Sequence, residues 1–134
     1  MPLPSSAGGF TQHGKFYTCT SPTDASKVKT LVVAIRKAFA EPGAKKQMVW
    51  ILSGTHGTAK GDLVREKDFF YEDKDLEGQI YKSVNVFGFT ADDGHIAKNR
   101  WNEYTGKSGV VILAWCYSEQ SRTGWMKKAG LTGI

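Results

Sequence analysis

The chain has 134 residues, of which 40% are hydrophobic and 23% charged, the balance of one ordinary globular domain and not of a disordered segment. Its formal net charge is +5, but no run of five like charges occurs, which argues against a polybasic tail. Two cysteines with no C-x-x-C exclude a disulfide framework or a zinc-ribbon pattern.

No stretch of about 18 apolar residues offers a membrane span. Met1–Phe10 lacks the basic start and apolar middle of a secretory leader. The expectation is a cytoplasmic protein without membrane insertion, or one exported by a signal-independent route. Residues 1–14 (MPLPSSAGGFTQHG) are rich in Pro, Ser and Gly and read as a flexible lead-in. A single catalytic domain over 15–134 is expected to follow.

Lys15–Thr20 (KFYTCT) is β-branched and aromatic, the composition of a short strand. Ser21-Pro22-Thr23-Asp24 then offers an N-cap serine, a proline at the first helical position and an early carboxylate. Val28, Leu31, Val32, Ile35 and Phe39 recur at helical spacing, and the pattern predicts a helix over 22–40, stopped by Glu41-Pro42-Gly43. Gln47–Ser53 (QMVWILS) reads as a strand covered on both faces. Thr58–Gly78 is polar, with an aromatic insert at Phe69-Phe70-Tyr71, and fits either a hairpin or a long loop.

Lys82–Thr90 (KSVNVFGFT) predicts another strand, and Ile96–Tyr104 a helix after Asp92-Asp93-Gly94. Gly109–Cys116 (GVVILAWC) is the most apolar stretch and predicts a central strand; a last helix is expected over Glu119–Ala129. Strands alternating with helices predict an α/β fold with a mainly parallel central sheet flanked by helices.

In such sheets the active crevice lies beyond the carboxyl ends of the strands. Two reactive side chains fall there, His56 after Val49–Leu52 and Cys116 after Val110–Ala114. If those strands are parallel neighbours, both ends face one edge, and residues 60 positions apart can meet. A cysteine is a few per cent thiolate at neutral pH, and a nearby imidazole can take its proton and later protonate a leaving amine. The amide N–H groups of Gly57 and Cys116 could stabilise a developing oxyanion.

A strand running into "SGTHG" and a later one running into "VVILAWCYS" resembles the caspase-like cysteine peptidases. That resemblance would cover roughly residues 15–120. It implies a caspase-like three-layer sandwich, with His56 as general base, Cys116 as nucleophile, Gly57 as oxyanion donor, a polypeptide substrate and no cofactor. A short stand-alone domain of this kind also resembles the toxic tip of an effector, for which an inhibitory or immunity protein is the expected partner.

The remaining candidates are weaker. His95 and Ser118 are further candidates, as groups that steady the reacting side chains, although His95 after Asp-Asp-Gly also reads as ordinary turn chemistry. No ligand spacing for a metal is present, and Cys19 reads as structural. A reading of another class stays open: a basic, nucleic-acid-acting or nuclease-like toxin domain, using His56 or His95, in which Cys116 is merely packed. Arg122, Lys127 and Lys128 around Trp125 motivate it, although a solvated basic helix end is the plainer account.

Overall fold

The computed structural model describes residues 3–44, 47–65, 81–85 and 109–126. In chain order these contain β1 (Ser6–Ala7), β2 (Phe10–His13), β3 (Phe16–Thr18), α1 (Ala25–Phe39), β4 (Val49–Ser53) and β5 (Thr55–Gly57). Then follow β6 (Leu63–Arg65), β7 (Tyr81–Asn85), β8 (Val110–Leu113) and a short helix, α2 (Ser118–Ser121). Six strands form one sheet in the order β1-β2-β3-β8-β4-β7, and β5-β6 form a second, two-stranded sheet.

The sheet is mixed, and this corrects the expected architecture. β8 is parallel to both β3 and β4, and β4 is parallel to β7, but β1-β2 and β2-β3 are antiparallel, as is β5-β6. Among the described residues the helices are α1, the single turn of α2 and the irregular π-type turn that follows it over Arg122–Met126. A mainly parallel sheet flanked by helices is therefore not what this chain builds. The added pairings come from tight hairpins that the sequence disguises as flexible chain.

Gly8 and Gly9 both have positive φ (59° and 80°), the requirement of the two-residue turn that joins β1 to β2. Another two-residue turn, Gly14-Lys15, joins β2 to β3 with His13 opposite Phe16. Within the stretch read as a lead-in, Phe10 is fully buried. Burying that ring anchors the hairpin, worth roughly 1.5–3 kcal/mol by apolar transfer.

The helix forms where periodicity placed it, and it starts later. Asp24, not Ser21, is the N-cap, with extended backbone and a carboxylate that accepts the Lys27 N–H at 3.0 Å. Ser21-Pro22-Thr23 precedes the helix. Val28, Leu31, Val32, Ile35 and Phe39 pack against Tyr17, Val49, Ile51, Val110 and Ile112 on one face of the sheet. All four residues of β8 are buried, as a central strand requires.

β4 and β8 are parallel neighbours, with Val49 opposite Val110 and Leu52 opposite Leu113. Beyond α2 the chain loses regular helix at Gly124, where φ is −88° and ψ is −113°. The expected helix over 96–104, the aromatic triplet at 69–71, His95 and residues 127–134 lie outside the described residues. Among the described residues, no helix is long and apolar enough to cross a membrane.

Candidate active site

The parallel strands β8, β4 and β7 bring three chain segments to one sheet edge. After β4 the chain turns at Gly54 into β5, which carries His56. A three-residue loop, Ala59-Lys60-Gly61, closes the β5-β6 hairpin, with the Gly61 N–H bonded to Thr58 O at 2.8 Å and the Thr58 N–H to Asp62 O at 3.0 Å. After β8 the chain makes an abrupt turn at Cys116 and enters α2.

The hairpin lies against that turn. A Cβ added at Gly57 would overlap the Cys116 carbonyl oxygen and come within 2.8 Å of Trp115 Cδ1. One added at Gly61 would meet the Gln120 backbone at 3.0 Å. Glycine at 57 thus lets the main chain of β5 touch the main chain of the cysteine turn. Bonded pairs alternate along an antiparallel ladder. Because Thr58 pairs with Asp62 by hydrogen bond, Gly57 opposite Leu63 falls at a non-bonded position. Its N–H is accordingly directed away from β6.

Side chains alternate along a strand, and the alternation places His56 on the other pleat of β5. Thr55 is buried, whereas the His56 imidazole is exposed. The Cys116 thiol is partly exposed and makes its hydrogen bonds elsewhere. It accepts the Thr23 N–H at 3.3 Å and donates to Thr23 O at 3.6 Å, at the entry to α1. The structure therefore brings Gly57 and Cys116 together directly, and sets the thiol on the Thr23 peptide instead of on the imidazole. Thr23 Oγ1 is itself buried without a hydrogen-bond partner among the described residues.

The turn that carries Cys116 is braced from all sides. Tyr117 has left-handed backbone (φ 56°, ψ 34°), uncommon for a residue with a Cβ. Its N–H bonds Ser21 O at 3.1 Å, and the Glu119 N–H bonds Cys19 O at 3.0 Å. Trp115 is fully buried and its Nε1–H donates to Ser121 Oγ at 3.2 Å. Ser118, a candidate for steadying the reacting side chains, has its hydroxyl engaged by the Cys19 N–H at 3.0 Å and so ties the turn to the end of β3. Cys19 is 2% exposed and its thiol donates to Trp115 O at 3.3 Å.

Glu119 adds an ionic clamp. It accepts hydrogen bonds from Thr18 Oγ1 and from Arg122, whose Nη2 lies 2.6 Å from Oε1, with His13 Nε2 at 3.4 Å. Burial pushes the carboxyl up, but the hydrogen bonds from Arg122 and Thr18, with the charges of Arg122 and His13, outweigh it and hold the group below its ordinary value. A depressed carboxyl contributes stability above its unfolded value, and that contribution fades as pH falls through the folded one. Glu119→Gln is thus expected to be less stable than the wild type at neutral pH, with the gap closing below about pH 4. Urea midpoints measured across pH read this; a gap that persists unchanged into acid would refute it.

Among the described residues, no group of three or more His, Cys, Asp or Glu side chains could hold a metal ion. Sequence reasoning passed over Asn85, the last residue of β7, which pairs in register with Ser53 at the end of β4. The rule that pointed to His56 and Cys116 applies equally to this third strand end.

Comparison with known proteins adds the decisive observation. Residues 12–127 match the family model described as a toxin with a H, D/N and C signature, Tox-HDC. The chain belongs to this toxin family. No curated protein and no solved structure matches it. The match bears out the toxin part of the resemblance and does not extend to the caspase-like peptidases, and the mixed sheet is not the expected caspase-like sandwich. Chemically, a Tox-HDC signature of His, Asp or Asn, and Cys asks for three groups where the earlier reading had two.

Proposed function

We propose that this toxin domain is a thiol hydrolase acting on polypeptides, with Cys116 as nucleophile and His56 as general base. The observation that carries the reading is the packing of Gly57 on the Cys116 carbonyl, which sets His56 one residue from the cysteine turn. The family signature, with its histidine and cysteine, supports the same pair.

The thiol turns from the Thr23 carbonyl, and the imidazole takes its proton. Sulfur attacks the carbonyl carbon of a peptide bond, and the oxyanion is met by the N–H groups of Gly57 and Cys116. The imidazolium then protonates the departing amine, leaving a thioester on Cys116. Water, deprotonated by the same imidazole, hydrolyses the thioester and restores the thiol. An immunity protein that covers this sheet edge would be the natural inhibitor.

A second reading keeps one specific observation. Helix α1 carries Lys27, Lys29, Arg36 and Lys37, all exposed, and no acidic side chain. Such a face would suit an anionic polymer. The two readings separate when purified domain is incubated with a target-cell lysate. Expected are new peptide N-termini, seen by mass spectrometry, that vanish with His56→Ala, while total RNA and DNA stay intact. Degraded nucleic acid with an unchanged proteome would overturn the hydrolase reading.

A further inference from the structure

Within the proposed hydrolase reading, on which the role depends, we infer that Thr23 holds the Cys116 sulfur after it loses its proton, through its peptide N–H and its side-chain hydroxyl. Buried hydroxyls nearly always have a hydrogen-bond partner, and leaving one without costs stability. Thr23 is 9% exposed, and its Oγ1 has no hydrogen-bond partner among the described residues. This unpartnered hydroxyl belongs to the residue whose main chain touches the sulfur. Cys116 Sγ lies 3.3 Å from the Thr23 nitrogen and 3.6 Å from its carbonyl oxygen.

The two protonation states of the sulfur make different demands on Thr23. As a thiol, Sγ accepts the N–H and donates to the carbonyl, so both main-chain groups are used. When the imidazole takes the proton, the S–H bond breaks, the electron pair stays on sulfur, and the group becomes an acceptor alone. The Thr23 carbonyl then repels it, while the N–H still attracts it. The hydroxyl hydrogen, given to no other acceptor, supplies a second donor from the same residue, and hydrogen bonds to a charged acceptor are the strong ones.

The N–H donor is strengthened from behind. Lys27 Nζ donates to the Pro22 carbonyl at 3.3 Å, and that carbonyl shares its peptide unit with the Thr23 N–H. A cation on the oxygen polarises the unit and makes its N–H the better donor. Thr23 also stands one residue before Asp24, the N-cap of α1, so the sulfur meets the end of a 15-residue helix where negative charge is favoured. The Asp24 carboxylate, which would oppose a second negative charge, is exposed and bonded to Ser26 Oγ and the Lys27 N–H.

Thr23→Val removes the hydroxyl at nearly constant shape and keeps the peptide. Because a buried group without a partner is deleted, the thermal midpoint is expected to equal or exceed that of the wild type. Alkylation of Cys116 by iodoacetamide, followed on its own peptide by mass spectrometry, reads the thiolate independently of toxicity. The rate profile is expected to move about one pH unit upward in Thr23→Val and to return in Thr23→Ser. Toxicity is expected to fall at least about tenfold in Thr23→Val and to be largely retained in Thr23→Ser. An unmoved alkylation profile in Thr23→Val overturns the assignment, whatever the toxicity. A Thr23→Val protein less stable than the wild type overturns it too, since the hydroxyl would then be bonded in the resting fold. Should Cys116→Ala keep its toxicity while the alkylation profile still follows residue 23, the hydrolase reading falls and the sulfur seat stands.

Discussion

Cys116→Ala is expected to lower toxicity by at least about a thousandfold and to abolish labelling of the native protein by iodoacetamide. The sulfur is the atom that forms the bond to substrate in the proposed reaction, and no neighbouring side chain can replace it. The cost to the fold is expected to be small, on the order of 1 kcal/mol, because the change removes one partly exposed acceptor from the Thr23 N–H. Cys19 provides an internal control. It is buried, with its thiol bonded to a main-chain carbonyl, so native labelling should stop at one adduct per chain. Growth assays, intact mass and thermal unfolding together make the measurement. Full toxicity in a folded Cys116→Ala protein would end the thiol-hydrolase proposal.

The second large effect is expected from a single methyl group. Gly57→Ala places a Cβ into the Cys116 carbonyl oxygen and close to the Trp115 ring. Neither neighbour can yield easily, since the carbonyl belongs to a braced turn and Trp115 is fully buried. The β5-β6 hairpin must therefore lift from the turn, or the turn must shift. Overpacking of this kind costs roughly 1–3 kcal/mol. It also displaces His56 and the Gly57 N–H together from Cys116, so toxicity should fall at least about a hundredfold. Urea unfolding with hydrogen exchange over residues 55–65 reads the first effect, and growth arrest the second. A Gly57→Ala protein with wild-type stability and toxicity would show that the hairpin does not rest on the cysteine turn in solution.

The parts of the fold governed by side-chain pattern were legible in the sequence. Helix α1 announced itself by Val28, Leu31, Val32, Ile35 and Phe39 at helical spacing, and β8 by an unbroken apolar run. The strand ends that deliver His56 and Cys116 followed from the same runs. What depended on main-chain geometry was hidden. Gly8-Gly9 looks like flexible chain until both residues are seen with positive φ inside a hairpin, and the antiparallel half of the sheet was missed with it. The N-cap moved from Ser21 to Asp24 because both residues are good caps and only the carboxylate reaches Lys27.

The cysteine's partner was the least legible feature of all. Thr23 holds Cys116 through its peptide N–H and carbonyl, groups that every non-proline residue owns, so no residue type could signal it.

The brace around Cys116 governs how the site comes into being during folding. Thr18, Cys19, Ser21 and Thr23 near one end of the chain hold Glu119, Ser118, Tyr117 and Cys116 near the other. Each of these contacts closes a loop of about a hundred residues, and the β3-β8 pairing between them is equally remote. Such closures are slow and come late, because chain entropy is lost before the contact is gained. A growing or clipped chain lacking either end of the 18–119 span carries His56 without a formed cysteine turn. The cysteine turn is thereby completed only when the whole domain has closed, a late event set by contact order.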